Sequence, residues 1–203
     1  MVLPPSETGE KRAALGRADW IEAARNALVS GGITDVKVDR LAVDLGISRG
    51  SFYWHFASRA DLLAAVLHLW EQRNTRPFLE VVENNQTDPR HQMLAYFDIW
   101  RADGSFDPKL DAAVRDWART APDVAAAVLD ADARRLSVLE VLFLRAGYEP
   151  TEALIRARAT YYHQIGYFAL GIQQTMEERS ALLPMYFRVL TGFPIPVKPR
   201  GDP

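Results

Sequence analysis

The chain has 203 residues and a formal net charge of −2, with 48% hydrophobic and 25% charged residues. Such a composition is typical of a globular protein with an ample core, and it lacks the overall basic excess of many nucleic-acid-binding proteins. The absence of cysteine excludes disulfide scaffolds and thiolate zinc sites. No apolar run reaches the roughly 18 residues that span a bilayer, and the polar N-terminus lacks the apolar segment of a secretory signal. We therefore expect a cytoplasmic protein.

Helical periodicity begins early in the chain. One helical face is formed by Trp20, Ala23, Ala24, Ala27 and Leu28. This spacing predicts a first helix that is capped by Asp19 and ends at Gly31-Gly32. A second short helix has its apolar face at Val38, Leu41, Ala42 and Leu45. Gly46 is expected to end it.

Two more helix starts follow closely. Ser48 is a predicted cap for a third short helix, with Ile47 and Phe52 placed for a hydrophobic staple. Ser58 and Asp61 have the spacing of a capping box, and they predict the start of a fourth helix. Pro77 is expected to kink or end that helix.

Four prolines in the rest of the chain each precede a helical pattern: Pro89, Pro108, Pro122 and Pro150. Proline is tolerated at the first helical position because its missing N–H would have no partner there. We predict helices over about 89–103, 108–120, 122–146 and 150–173. A last helix is expected from a capping box at Thr175 to Gly192.

This pattern predicts an all-α protein in two parts, a three-helix N-terminal bundle and a larger domain of six helices. We expect a flexible arm over 1–16, the bundle over 17–60, the larger domain over 61–192 and a proline-rich tail over 193–203. The second and third helices, joined by a tight turn, predict a helix-turn-helix over 37–56.

The stretch LGISRGSFYWHF, residues 45–56, is predicted to have two faces. Phe52 and Phe56 are four positions apart and can pack on the bundle with Ile47. The residues that fall on the other face of the segment can then contact DNA. Arg49 suits guanine or phosphate, and Gly50 allows the backbone to approach closely. Trp54 fits either face.

The segment 17–63 closely resembles the DNA-binding domain of the TetR family of transcriptional regulators. The resemblance rests on AA at 23–24, SGG at 30–32, VKVDRLAVDLGISRGSFYWHF at 36–56 and SRADLL at 58–63. It implies a set of DNA-facing residues: Lys37, Val38, Ser48, Arg49, Gly50, Ser51, Tyr53, Trp54, His55 and Arg59. The sequence departs from the family at Lys37, where many members have a capping serine or threonine. Asp35 is the alternative cap.

The resemblance also implies a homodimer on a palindromic double-stranded DNA operator, with the last two helices forming the interface. Small residues among aromatic ones support this interface, because they allow close approach of helices. The predicted interface residues are Gly166, Ala169, Leu170, Gly171, Met185 and Tyr186. An intramolecular core helix is the alternative.

An effector pocket in the larger domain is a further implication of the resemblance. The candidate wall residues are Trp70, Met93, Tyr96, Phe97, Trp100, Trp117, Tyr162 and His163. Aromatic walls favour an apolar or aromatic small molecule, although each of these residues could equally belong to the core. The expected function is that of a ligand-responsive repressor, and activation is the alternative.

Two other classes of protein are alternatives to a transcriptional regulator. An all-helical enzyme is disfavoured because the chain has no P-loop, HExxH or GxSxG motif, and its four histidines are scattered. We expect no catalytic residues, no metal site and no cofactor. A protein-binding helical module that does not bind DNA remains the other alternative.

Overall fold

The computed structural model describes residues 15–83, 88–101 and 104–196. Most of the predicted arm and the end of the predicted tail lie outside these ranges. Within them the chain is helical, and it contains no helix that is both long and apolar enough to cross a membrane. The prediction of an all-α fold is confirmed.

The N-terminal part contains α1 (Arg17–Gly31), a short 3-10 turn (Ile33–Asp35), α2 (Val38–Leu45) and α3 (Arg49–Phe52). A longer helix, α4 (Arg59–Asn74), follows. Helix α4 is capped as predicted, because the Ser58 hydroxyl accepts a hydrogen bond from the Asp61 N–H at 3.2 Å.

The remaining helices are α5 (Arg76–Glu80), α6 (Pro89–Arg101), α7 (Pro108–Ala118), α8 (Pro122–Arg145), α9 (Pro150–Ala169) and α10 (Met176–Thr191). Thr175 and Glu178 form the predicted capping box of α10, and Gly192 ends it. Helix α9 ends earlier than predicted, because Gly171 takes a left-handed conformation with φ of 63°.

The first helix also differs from its prediction at the start. Gly16, rather than Asp19, occupies the cap position, and the Asp19 carboxylate accepts a 2.7 Å hydrogen bond from the Gly16 N–H. Asp19 therefore lies in the first turn, where a negative charge also complements the helix dipole.

Two apolar cores organise the molecule. The first core joins α1–α4 to α7 and to the beginning of α8. The second lies among α5, α6, α9, α10 and the rest of α8. Helices α7 and α8 thus link the N-terminal helices to the larger part of the chain.

Candidate nucleic-acid interface and ligand cleft

The turn between α2 and α3 sets the position of the predicted DNA-facing residues. Gly46 ends α2 with φ of 68° and ψ of 31°, a left-handed conformation that glycine adopts without strain. The Ile47 N–H then bonds to the Ala42 carbonyl at 3.0 Å, which closes the turn. The two helices thereby form the predicted helix-turn-helix.

One face of the segment 45–56 is buried in the first core. Phe52 is fully buried and Phe56 is 2% exposed. The Phe52 ring meets the Trp20 ring edge to face at 5.2 Å and stacks on Phe56 at 5.4 Å. These contacts hold α3 against α1, so Phe52 and Phe56 are core residues as predicted.

The other face of the same segment points to solvent. The Trp54 side chain is 88% exposed and Tyr53 is 56% exposed. Ser48, Arg49 and Gly50 are exposed as well, whereas Ser51 and His55 are half-buried. Such a large exposed indole contributes little to the core, so Trp54 lies on the open face of the helix-turn-helix.

Arg49 is held only by surface interactions. Its guanidinium lies 3.2 Å from an Asp39 carboxylate oxygen and donates a long 3.4 Å hydrogen bond to the Tyr53 hydroxyl. Exposed ion pairs of this kind contribute little to stability. The guanidinium can therefore leave Asp39 at small cost when a phosphate or a guanine edge is offered.

Gly50 is not required by the fold. A Cβ added to it would first meet the Ser48 hydroxyl oxygen at 3.7 Å, an ordinary van der Waals distance. Glycine inside a helix costs about 0.5–1 kcal/mol relative to alanine. A glycine that packing does not demand is consistent with close approach of a partner at this surface.

The residues that flank α2 have different surroundings. Lys37 is exposed at the cap position of α2 and makes no side-chain cap, and Val38 is half-buried. Arg59 donates hydrogen bonds to the Val36 carbonyl at 2.6 Å and to the Ile33 carbonyl at 2.7 Å. Arg59 thus fixes the segment that precedes α2, a structural role the sequence did not reveal. Asp35 pairs with Arg40 at 2.8 Å and does not cap α2.

Asp107, the residue before α7, contacts both α1 and α4. Arg25 of α1 donates to the Asp107 carboxylate from its Nε at 3.1 Å. Asn74, fully buried at the end of α4, donates to the Asp107 carbonyl at 2.8 Å. The Asp107 carboxylate also caps α7 by accepting from the Leu110 N–H. Asp107 therefore links the start of α7 to both α1 and α4.

A cleft opens between α6, α9 and α10. It has about 550 Å³ of space between side chains, part of it open to solvent. Three of the predicted effector residues line it, Phe97, Trp100 and His163. Its other lining residues are Arg101, Thr160, Gln164, Tyr167, Gln174, Arg179, Leu182, Leu183, Tyr186 and Leu190.

The other predicted effector residues do not line this cleft. Met93 and Tyr96 are fully buried in the second core, and Trp117 belongs to the first core. Trp70 is 1% exposed, and its indole N–H bonds to the Asp111 carboxylate at 2.9 Å. Tyr162 is 57% exposed on the outer face of α9.

A buried ionic cluster lies between the cleft and α4. Arg135 is 1% exposed, and its guanidinium donates to the Thr75 hydroxyl at 2.8 Å, to Asp111 at 3.3 Å and to the Tyr161 hydroxyl at 3.2 Å. Arg115 bonds to Asp111 at 2.8 Å. These contacts join α7, α8 and α9 to the residue that follows α4.

Asp132 completes this cluster. It accepts hydrogen bonds from Arg115 at 2.6 Å and from the Tyr161 hydroxyl at 2.6 Å. Burial raises the pKa of Asp132, but the bonds from Arg115 and Tyr161 outweigh it and lower the pKa below its usual value. The carboxylate therefore stays ionised at neutral pH and keeps the cluster charged.

An apolar surface covers the outer sides of α9 and α10. On α10 it follows Leu182, Met185, Tyr186 and Val189, which share one helical face and are 40–67% exposed. On α9, Ala169 and Leu170 are exposed, and Leu170 reaches 78%. Gly166 is half-buried and Gly171 is exposed. The predicted interface residues therefore lie on or beside this surface.

The described residues form an all-helical fold with an N-terminal helix-turn-helix, a motif typical of DNA-binding proteins, and a larger helical part. Residues 21–66, from α1 into α4, match the family described as bacterial regulatory proteins, tetR family. The resemblance noted in the sequence is thus confirmed over this segment.

Two curated relatives carry the same kind of segment. The HTH-type transcriptional regulator SrpR of Pseudomonas putida is 40% identical over 47 residues, which are 23% of this chain and 22% of that protein. The HTH-type transcriptional regulator TtgR, also of Pseudomonas putida, is 39% identical over 51 residues, 25% of this chain and 24% of that protein. The chain thus matches about a quarter of each relative's length.

Solved structures extend the similarity in fold to most of the chain. A protein from Rhodococcus sp. described as a TetR-family transcriptional regulator has a TM-score of 0.62 and 21% identity, with 86% of this chain and 98% of that chain covered. The fatty acid degradation regulator FadR from Bacillus halodurans has a TM-score of 0.61 and 15% identity, covering 92% and 97%. At these identities the likeness is one of fold.

Proposed function

We propose that this protein is a cytoplasmic transcriptional regulator that binds double-stranded DNA through its helix-turn-helix. The observation that carries the proposal is the exposed face of residues 48–55. It holds an arginine in a weak surface pair, a glycine that the fold does not need and two exposed aromatic rings. Arginine, small hydroxyl and aromatic side chains are suited to contacts with guanine edges and phosphates.

The proposed DNA contacts are the sequence-predicted residues, with one refinement. Arg49, Gly50 and Tyr53 lie on the open face, and Lys37 lies exposed at the start of α2. Arg59 already donates to two backbone carbonyls. It therefore supports the interface by ordering the segment before α2, whether or not its remaining N–H groups also reach a phosphate.

The proposed active form is a homodimer that pairs through the apolar surface of α9 and α10. Large exposed apolar surfaces on a globular protein mark sites of association. Pairing the same surface on two copies gives a twofold axis. The two helix-turn-helix units would then bind half-sites about 34–36 Å apart on a palindromic operator.

The proposed regulatory mode is repression that a small molecule relieves by binding in the larger helical part. The cleft wall residue Trp100 lies against Tyr96 at 4.8 Å and near Tyr161 at 6.3 Å between ring centroids. Both tyrosines contact Arg135, whose guanidinium bonds to Thr75 after α4. A ligand that spreads the cleft would displace this chain of contacts and shift α4, which carries the DNA-binding helices.

DNA binding by the open face is tested with Arg49→Ala. On duplex DNA of mixed sequence we expect affinity to fall as salt rises, and we expect the variant to bind more weakly and to show a salt slope smaller by about 1. Arg76→Ala is the matched control, because its side chain is 63% exposed against 60% for Arg49 and it also pairs with a carboxylate. The measurement is fluorescence anisotropy of labelled DNA.

Gly50→Ala is a second test of DNA binding by the same face. The substitution is expected to leave the protein as stable or slightly more stable, because alanine favours a helix and its Cβ has room. It is also expected to weaken DNA binding by placing a methyl group at the interface. If Arg49→Ala and Gly50→Ala both bind DNA like the unaltered protein, the helix-turn-helix serves another partner, as in a protein-binding module.

A further inference from the structure

The cleft between α6, α9 and α10 has an unbalanced charge. Two arginines, Arg101 and Arg179, line it, and no aspartate or glutamate does so among the residues the structure describes. Arg101 is paired with Asp98 at 2.7 Å. Arg179 makes no ion pair within the described part of the chain. Its guanidinium donates to the Trp100 carbonyl at 2.8 Å and lies 5.6 Å from the centre of the Tyr167 ring.

Unsatisfied polar atoms lie further along the same cleft. Thr160 is fully buried, and its hydroxyl has no hydrogen-bond partner. The side-chain nitrogen of Gln164, one turn further along α9, is also buried without a partner. Leaving a buried polar group unpaired is costly, so most such groups in folded proteins are satisfied. Both residues line the cleft, so a molecule that opens it could supply an oxygen atom to these groups.

The remaining walls are apolar or uncharged. Phe97, Trp100, Leu183 and Tyr186 surround the space. The His163 ring lies 4.8 Å from that of Tyr186, and burial lowers the pKa of His163 below its usual value. The imidazole is therefore neutral at neutral pH and adds no positive charge. The positive charge of the cleft is concentrated at the arginines.

We propose that this cleft binds an amphipathic organic acid, with its carboxylate at Arg179 and its apolar body between α6, α9 and α10. An arginine forms charge-assisted, often bidentate hydrogen bonds with carboxylates. Gln164 and Thr160 would bond to a second polar group of the same molecule. The proposal rests on the proposed function in one respect: the acid would be the effector.

The dimensions of the cleft set the size of the ligand. Tyr167, beneath Arg179, and Thr160 are seven residues apart on α9, which is about 10 Å along a helix. The interior of the cleft is narrow, with room for roughly four to six waters. A ligand with a ring must therefore spread α6 from α10, and this movement would couple binding to the rest of the molecule.

The charge preference is tested with three compounds that share one skeleton: 3-phenylpropionate, 3-phenylpropanamide and 3-phenylpropylamine. Titration calorimetry on the full chain without DNA is expected to show that the anion binds about tenfold or more tightly than the amide, with the amine weakest. Arg179→Gln is expected to abolish the preference for the anion, because it weakens binding of the anion far more than binding of the amide. Arg188→Gln is the control, because this exposed residue of α10 carries the same charge and does not line the cleft.

Several results of the calorimetry would contradict the proposed ligand class. Equal binding of the three compounds, tighter binding of the amine, or no binding of any of them would overturn the proposal. An anion preference that persists in Arg179→Gln would overturn it as well. A folding defect in Arg179→Gln would show as lost amide binding, and Arg179→Lys, which keeps a positive charge, should then retain the preference for the anion.

This titration does not depend on DNA binding. If the chain fails to bind DNA, calorimetry still tests the preference for the anion. If the chain binds DNA but not the acid, the proposed DNA-binding function is retained and the proposed ligand class is wrong. When both bind, the effector role predicts that saturating 3-phenylpropionate weakens DNA binding by about tenfold, and unchanged DNA affinity would remove that role.

Discussion

Replacing Phe52 with alanine is expected to destabilise the protein by about 3–5 kcal/mol, the usual cost of removing a buried phenyl ring. Phe52 is fully buried and contacts both Trp20 and Phe56. Its loss leaves a cavity between α1 and α3, and the short helix α3 has few other contacts to hold it. The measurement is the free energy of unfolding by urea.

Trp54→Ala is the matched variant two positions away. Trp54 is 88% exposed, so the free energy of unfolding should change by no more than about 0.5 kcal/mol. DNA affinity should nevertheless fall, because the indole lies on the proposed interface. Equal destabilisation by the two variants would contradict the division of this segment into a buried and an open face.

Replacing Arg135 with methionine is expected to destabilise the protein by about 3 kcal/mol. The apolar side chain keeps much of the volume but removes the hydrogen bonds to Thr75 and Tyr161 and one of the cations at Asp111. Breaking a buried ion pair is costly because the remaining charge loses its partner. Arg115 still pairs with Asp111, which keeps the effect at the lower end of the usual range of about 3–5 kcal/mol.

Arg134→Met is the control for this effect. Arg134 is the preceding residue of α8, and its side chain is 36% exposed while pairing with Glu71 and Asp130. Loss of such surface pairs costs up to about 1 kcal/mol. Similar unfolding free energies for Arg134→Met and Arg135→Met would show that the buried cluster contributes no more than a surface ion pair.

The helix-turn-helix could be predicted from the sequence because its determinants are local. Gly46 ends α2, and the four-residue spacing of Phe52 and Phe56 identifies the buried face. Two helix starts are identified by pairs of residues three positions apart, Ser58 with Asp61 and Thr175 with Glu178. The cap of α1 was predicted wrongly at Asp19, since a carboxylate in the first turn and one at the cap both bond to backbone N–H groups.

The buried cluster could not be predicted from local spacing, because its partners come from distant helices. Arg135 bonds to Thr75, Asp111 and Tyr161, which are 60, 24 and 26 positions away in the sequence. A signal was present, however. Arg135 follows Ala131 by four positions and precedes Val138 by three, so it lies within the apolar face of α8. A charged residue in an apolar stripe indicates a buried partner.

The cleft was predicted only in part for the same reason. Aromatic residues at helical spacing serve equally in a core and in a pocket wall, and only the packing of α6 against α9 and α10 separates them. Tyr96 and Phe97 are neighbours in sequence, yet Tyr96 is fully buried and Phe97 lines the cleft. The domain division near residue 60 remains a prediction, since the first core extends into α7 and α8.

Selection of bound DNA from a random duplex pool tests the central claim most directly. A dimeric regulator is expected to enrich an inverted repeat whose half-sites are centred about one helical turn apart, roughly 10 base pairs, or a multiple of that spacing. Met185→Glu, which places a charge on the apolar surface of α9 and α10 where Met185 is 61% exposed, should enrich isolated half-sites or nothing. Failure of the unaltered protein to enrich any sequence, or enrichment of asymmetric single sites, would contradict a dimeric, sequence-specific DNA-binding regulator.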